Sequence, residues 1–106
     1  SDHTGIDIKA NIGDDVKASY DGIVEKIYED NKLGYTVIIN HSNGIKTQYS
    51  NLDKKIPLKA KETVKKGDII GKVGNSASFE INDGEHIHFA IIKDNEYINP
   101  EKYIIK

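Results

Sequence analysis

The sequence predicts an all-β fold, an antiparallel two-layer β sandwich or barrel-like hybrid. Short segments rich in isoleucine, valine and tyrosine recur along the 106 residues, and these residue types favour strands. Turn sequences of the Asp-Gly and Asn-Gly kind separate the segments at regular spacing, which is typical of sandwiches and barrels. No window carries apolar residues at the helical period over the length that a stable helix needs.

The predicted elements follow from these segments and turns in order along the chain. Strands are expected at residues 6–8, 16–18, 23–28, 35–39, 45–49, 69–74 and 85–89. Turns between them are predicted at residues 13–15, 20–22, 31–34, 42–44 and 65–68, where glycine, asparagine and aspartate cluster. At most, residues 52–55 or 100–103 form a single helical turn.

Length and charge limit the functions that the chain can have. A chain of 106 residues buries one core, so a single domain spanning 1–106 is expected. The net charge is −2 without any arginine, which makes nucleic acid an unexpected partner. No apolar run has membrane-spanning length, and the chain begins two residues before His3. We therefore expect a domain of a longer protein that is anchored to a membrane through a segment preceding Ser1.

The four histidines suggest a metal site. His86 and His88 are one residue apart, so in a strand they point to one face while Ile87 and Phe89 point to the other. His3 and Asp7, near the other end of the chain, are candidates for further ligands. Three ligands drawn from histidine and aspartate, with one position open, are typical of a catalytic zinc site.

These residues belong to an ordered set of motifs that covers nearly the whole chain. The motifs are His3-x-Gly5-x-Asp7, Gly13-x-x-Val16-x-Ala18, Asp21-Gly22-x-Val24, Gly34-Tyr35, Val37-x-Ile39-x-His41-x-x-Gly44, Thr47-x-Tyr49-x-Asn51-Leu52, Val64-x-x-Gly67-x-x-Ile70-Gly71, His86-x-His88-Phe89 and Asn99-Pro100. The set resembles the lysostaphin/LytM-type zinc metallopeptidase domain.

The resemblance implies a fold, a cofactor and residue roles. The fold is the LytM type (duplicated hybrid motif), with a groove over the main sheet that takes a glycine-rich or peptidoglycan-like peptide in active relatives. His3, Asp7 and His88 correspond to the zinc ligands. His86 corresponds to a catalytic histidine that faces the reacting peptide without binding the metal.

Two positions depart from the family pattern. Asn51 stands where the motif Tyr-x-His-Leu has a second catalytic histidine, and Ala90 replaces a glutamate. Asparagine cannot exchange a proton near neutral pH, and positioned proton transfer contributes roughly 10²–10⁴-fold in rate. The departure at Asn51 therefore predicts a zinc-binding domain with impaired or lost peptidoglycan endopeptidase activity.

Retained ligands with a lost catalytic histidine resemble the degenerate LytM domains of sporulation membrane proteins. That resemblance implies an extracytoplasmic interaction module at the forespore membrane, in the space between mother cell and forespore. Its partner would be a stage III sporulation protein, and peptidoglycan peptide is a further candidate ligand.

Other interpretations remain open at this point. The domain could be an active zinc metalloendopeptidase or a metal-free scaffold. Taken singly, His86 and His88 are compatible with solvated strand residues, Asp7 with a turn cap, and His41 with a surface histidine. The segments around Asp21-Gly22 and Lys65-Lys66-Gly67-Asp68 also resemble biotinyl/lipoyl carrier domains, although residues 74–78 contain no lysine to modify.

Overall fold

The computed structural model describes residues 5–78 and 84–98, and these form strands without any helix. The strands are β1 (Ile6–Lys9), β2 (Asp15–Lys17), β3 (Gly22–Asp30), β4 (Gly34–Asn40), β5 (Ile45–Leu52), β6 (Thr63–Val64), β7 (Ile69–Lys72), β8 (His86–Lys93) and β9 (Glu96–Ile98). All pairs are antiparallel. The all-β antiparallel prediction is therefore confirmed. Among the described residues there is no helix long and apolar enough to cross a membrane.

The strands make one large and one small sheet. The large sheet has the order β1-β8-β5-β4-β3-β6, and β9 also pairs with β8. Strands β2 and β7 form the small sheet. Its Val16 and Ile70 share a core with residues of the large sheet such as Val37 and Tyr49. One face of the large sheet, here called the inner face, thus packs on the small sheet.

The opposite face of the large sheet, here called the outer face, is polar but still buried at its centre. Side chains alternate along β5, so Thr47 and Tyr49 point inward while Gln48 and Ser50 point outward. Gln48 and Ser50 are nevertheless fully buried, as is Thr36 on β4. The Thr36 and Ser50 hydroxyls satisfy one another at 2.8 Å. A cluster of buried polar groups therefore lies on the outer face.

The predicted turns agree with the structure where local chemistry defines them. In the turn at 42–44, φ is 80° at Ser42, 53° at Asn43 and 75° at Gly44. Glycine and asparagine tolerate such positive φ values best. At 65–68, the Asp68 carboxylate accepts a hydrogen bond from the Lys65 amide at 2.8 Å. Both segments are turns, as expected.

Several element boundaries differ from the prediction. Residues 52–55 are not helical, because β5 continues to Leu52 and Leu52 bridges to Val73 of the opposite layer. The predicted strand 69–74 ends two residues earlier, at Lys72. Strands β6 and β9, of two and three residues, were too short to recognise from the sequence. The predicted turn 100–103 lies outside the described residues.

Candidate metal centre

Pairing of β1 with β8 brings Asp7 and the two strand histidines together. Asp7 lies opposite His88 in the antiparallel register, and Asp7 Oδ1 is 2.9 Å from His88 Nδ1. The same oxygen is 3.9 Å from His86 Nε2. On the inner face, Ile87 belongs to the core and Phe89 packs against it. The predicted alternation of faces in β8 is therefore confirmed, and Asp7 is a strand residue rather than a turn cap.

Gly5 explains why β1 can start so close to β8. Its φ is 144°, a conformation that side-chain-bearing residues rarely adopt. A Cβ at this position would collide with the main-chain carbonyl of Phe89 and lie 2.9 Å from the Ala90 Cβ. Glycine two residues before Asp7 thus permits the close approach that sets the carboxylate beside His88.

Burial and hydrogen bonding restrict both rings. His86 and His88 are 4% and 6% exposed, whereas the Asp7 side chain keeps 32% of its surface exposed. His86 Nδ1 lies 2.8 Å from the carbonyl oxygen of Gly84. Because a carbonyl only accepts, Nδ1 carries the proton and Nε2 is the ring atom directed toward Asp7. The Gly84 contact therefore fixes the orientation of His86.

The donor set fits two positions of a zinc site. Carboxylate oxygen and imidazole nitrogen are ordinary zinc ligands, and neighbouring ligands on a tetrahedral zinc are about 3.3 Å apart. The 2.9 Å separation of Asp7 Oδ1 and His88 Nδ1 is close to that spacing. Across residues 5–78 and 84–98, no three side chains gather as a complete metal site. His3, the third predicted ligand, lies outside the described residues.

Asn51 has a structural role that the sequence did not reveal. It adopts a φ of 66° at the end of β5 and is only 3% exposed. Its Nδ2 donates to the His86 carbonyl at 2.7 Å, and its Oδ1 accepts from the Ala77 amide at 2.9 Å. Its own main-chain groups bond to Leu33 and Gly74. The residue at the degenerate catalytic position thus connects four segments.

His41 lies away from this centre. Its Nδ1 is 2.8 Å from the Asp21 carbonyl, and its Nε2 is 2.6 Å from the hydroxyl of Thr47. Thr47 in turn contacts the Tyr49 hydroxyl at 2.8 Å. These bonds belong to the inner face, beside an apolar cavity of about 910 Å³ lined by residues such as Ile6 and Phe89. The His41 ring therefore takes part in the hydrogen bonds of the inner face.

Comparison with known proteins identifies the family. The profile of peptidase family M23 matches residues 1–100, and the chain belongs to this family. This match favours the metallopeptidase interpretation of the sequence over the carrier-domain interpretation. Membership in a metallopeptidase family implies a metal, usually zinc.

Two curated relatives represent different kinds of family member. The chain is 36% identical over 104 residues to "Stage II sporulation protein Q" of Bacillus subtilis, covering 96% of this chain and 36% of the relative. It is 34% identical over 98 residues to "Peptidoglycan DD-endopeptidase ShyC" of Vibrio cholerae, covering 92% and 22% respectively. The chain therefore spans about a third or less of the length of these relatives.

Solved structures support the same assignment. The catalytic domain of the antimicrobial peptidase lysostaphin from Staphylococcus simulans superposes with a TM-score of 0.83 at 26% identity, covering 95% of this chain and 77% of that one. A structure of the SpoIIQ-SpoIIIAH pore-forming complex gives a TM-score of 0.76 at 36% identity, covering 85% and 56%. The LytM-type fold expected from the sequence motifs is thus confirmed.

We predict that Asn51→Ala destabilises the domain by about 2–4 kcal/mol, because it leaves the part-buried amide of Ala77 and the buried carbonyl of His86 without partners. Urea denaturation would measure the loss. Asn75→Ala, in an exposed residue of the neighbouring segment, is the matched control and should change the free energy of unfolding little. Equal stability of the two variants would contradict the role assigned to the Asn51 amide.

Proposed function

We propose that the chain is a zinc-binding LytM-like domain whose peptidoglycan endopeptidase activity is very weak or lost, and which acts as an interaction module in sporulation. The observation that carries this proposal is the combination of side chains that β1, β5 and β8 bring to the outer face. Asp7 and His88 keep a metal-ligand arrangement, while Asn51 is bound to main-chain groups where active relatives carry a catalytic histidine.

The metal proposed for the site is zinc, held by His3, Asp7 and His88. Bound there, zinc would supply a Lewis acid that polarises a carbonyl and lowers the pKa of a bound water. His86, directed by the Gly84 carbonyl, would lie beside the ligands without joining them. Its Nε2 could hold or release a proton on the groove side of the site.

The proposed loss of activity rests on what position 51 can do. Both polar atoms of the Asn51 amide are bonded to main-chain groups, and an amide has no proton to exchange near neutral pH. His86 is then the remaining histidine for proton transfer. Loss of one positioned proton-transfer group lowers a rate by roughly 10²–10⁴-fold.

The role in sporulation is inferred from relatives of known assembly. The similarity to stage II sporulation protein Q, and to its structure in complex with SpoIIIAH, favours a stage III-type extracytoplasmic partner for this chain. The location that follows is the intermembrane space at the forespore membrane, with an anchor in a segment outside this chain. The domain would then be one part of a longer membrane-anchored protein.

We predict about one zinc per chain, measured by elemental analysis of the purified protein. His3→Ala should remove most of the metal, because it deletes one of three ligands. His41→Ala is the control and should leave the metal content unchanged, since both ring nitrogens of His41 are bonded on the inner face. A metal-bound structure with His86 as ligand and His88 turned away would refute the assignment of ligands.

We also predict that the unmodified zinc-loaded domain cleaves peptidoglycan peptides at or near background. Asn51→His should raise zinc-dependent hydrolysis if that position alone limits the activity, because the imidazole restores a proton-transfer group. Product release from purified peptidoglycan, followed by chromatography, is the measurement.

Folding of the Asn51→His variant has to be checked by circular dichroism, because the imidazole cannot reproduce both amide contacts. Asn51→Leu provides the comparison without a titrating group. Robust cleavage by the unmodified domain would overturn the proposed loss of activity and favour an active metalloendopeptidase.

A partner should bind through strand pairing at an edge of the large sheet. The described sheet has edges at β1, β9 and β6, and such edges accept an extended strand through main-chain hydrogen bonds. Hydrogen exchange with a purified stage III-type ectodomain should show slower exchange of amides in one terminal strand and unchanged exchange in β4. Affinity should fall less than about threefold between low and physiological salt. Absence of binding would remove the support for the interaction module.

A further inference from the structure

Gln48 carries a buried polar atom that the fold does not satisfy. The side chain is fully buried on the outer face of β5, and its Nε2 has no hydrogen-bond partner among the described residues. Its Oε1 accepts a hydrogen bond from the Tyr97 hydroxyl at 2.9 Å. If the nitrogen and oxygen of the amide were exchanged, Tyr97 would contact the nitrogen, and the oxygen would have no partner. One atom of the Gln48 amide is therefore left over in either orientation.

The other buried polar side chains near Gln48 do have hydrogen-bond partners. Next to Gln48 on the same face, the hydroxyls of Ser50 and Thr36 pair with each other, and Thr36 also donates to the Gly34 carbonyl at 3.0 Å. Asn51 has partners for both ends of its amide. An unsatisfied buried amide is uncommon in folded proteins and raises the free energy of the native state. A ligand group is one explanation for keeping it.

Tyr97 is positioned to cover this amide and also to uncover it. It lies on the three-residue strand β9 opposite Ile92 of β8, while Gln48 lies opposite Ala90 on the other side of β8. The tyrosine side chain must therefore cross β8 to reach Gln48. The residue is 44% exposed, so no layer of the described structure covers its outer side.

Gln48 is adjacent to the candidate metal centre. Ser50 pairs directly with His88, and Gln48 is the next outward-facing residue along β5. Residues two apart in a strand are separated by roughly 6.6 Å. This equals two residues of an extended peptide, so a peptide bound at the metal centre and running along β5 would place a main-chain group over Gln48.

We propose that Gln48 and Tyr97 form a peptide-binding subsite beside the metal centre. Tyr97 turns aside, and the Gln48 amide donates to the carbonyl oxygen and accepts from the amide N–H of one residue in an extended ligand. The pairing fits because the N–H and C=O of one residue in an extended chain point to the same side, and a primary amide offers one acceptor and one donor side by side in a plane. This subsite rests on the proposed function in that it assumes a peptide bound along the outer face of the sheet, but it needs no metal.

The test uses nuclear magnetic resonance of the metal-free domain with a blocked trialanine peptide, N-acetylated and C-amidated, as the probe. Gln48 is the only glutamine in the chain, so its side-chain signals can be assigned by their loss in Gln48→Met. Addition of the peptide should shift the Gln48 amide signals and the Tyr97 ring signals together. Gln48→Met should weaken binding at least about tenfold, and Tyr97→Phe should strengthen it by freeing the amide. Tyr20→Phe, in an exposed ring outside the groove, should leave binding unchanged.

A stability measurement separates a binding amide from a structural one. If the amide serves a ligand, the double variant Gln48→Met/Tyr97→Phe should melt at or above the temperature of the unmodified domain, because it removes an unsatisfied group. A clear fall in melting temperature would show that the amide is satisfied in the free protein, for example by a buried water, and would overturn the proposal. So would the absence of a Gln48 shift with peptide up to about 10 mM. Because zinc content is measured separately, failure of the metal assignment would be distinguishable from failure of this subsite.

Discussion

The left-handed conformation of Asn51, together with its four hydrogen bonds, holds together the elements on which the outer face depends. The residue lies one position before the end of β5 and bonds to the turn before β4, to Gly74 and Ala77 after β7, and to His86 at the start of β8. Asparagine is among the few residue types that tolerate this backbone conformation and can still bond locally to the main chain. The orientation of β8, and with it the two histidines, therefore depends on a side chain from another strand.

The bonded Asn51 amide occupies the position that the family motif gives to a catalytic histidine. A histidine in active family members is available for proton transfer, whereas the Asn51 amide is buried and bonded at both ends. In the function that we propose, a bonded amide thus stands at the position of a proton-transfer group. The candidate ligands Asp7 and His88 meet through the pairing of β1 with β8, and proton exchange at position 51 has no part in that pairing. The proposed metal binding and the proposed loss of activity are therefore compatible.

The fold could be predicted because its signals are local. Alternation of side chains places His86 and His88 on one face, and turn chemistry at residues 42–44 and 65–68 acts within four residues. The role of Asn51 depends on Ala77 and His86, which are 26 and 35 residues away, and the Gln48 contact depends on Tyr97, 49 residues away. Sequence alone identified Asn51 only as a departure from a motif. No signal in the sequence pointed to Gln48, because the motif includes the neighbouring Tyr49 but leaves position 48 unspecified.

The two faces of the large sheet differ in how their buried polar groups are satisfied, and this difference indicates where ligands act. On the inner face, His41, Thr47, Tyr49 and Ser19 form a continuous chain of hydrogen bonds around the core, which stabilises the packing of the two layers. On the outer face, Gln48 Nε2 is the one buried side-chain polar atom of the described residues that has no partner. Hydrogen bonds within the chain therefore account for the first set but not for this atom, whose removal can be neutral or stabilising for a fold. The peptide ligand that we propose would supply the missing partner, two strand positions from Ser50, the residue that pairs with His88.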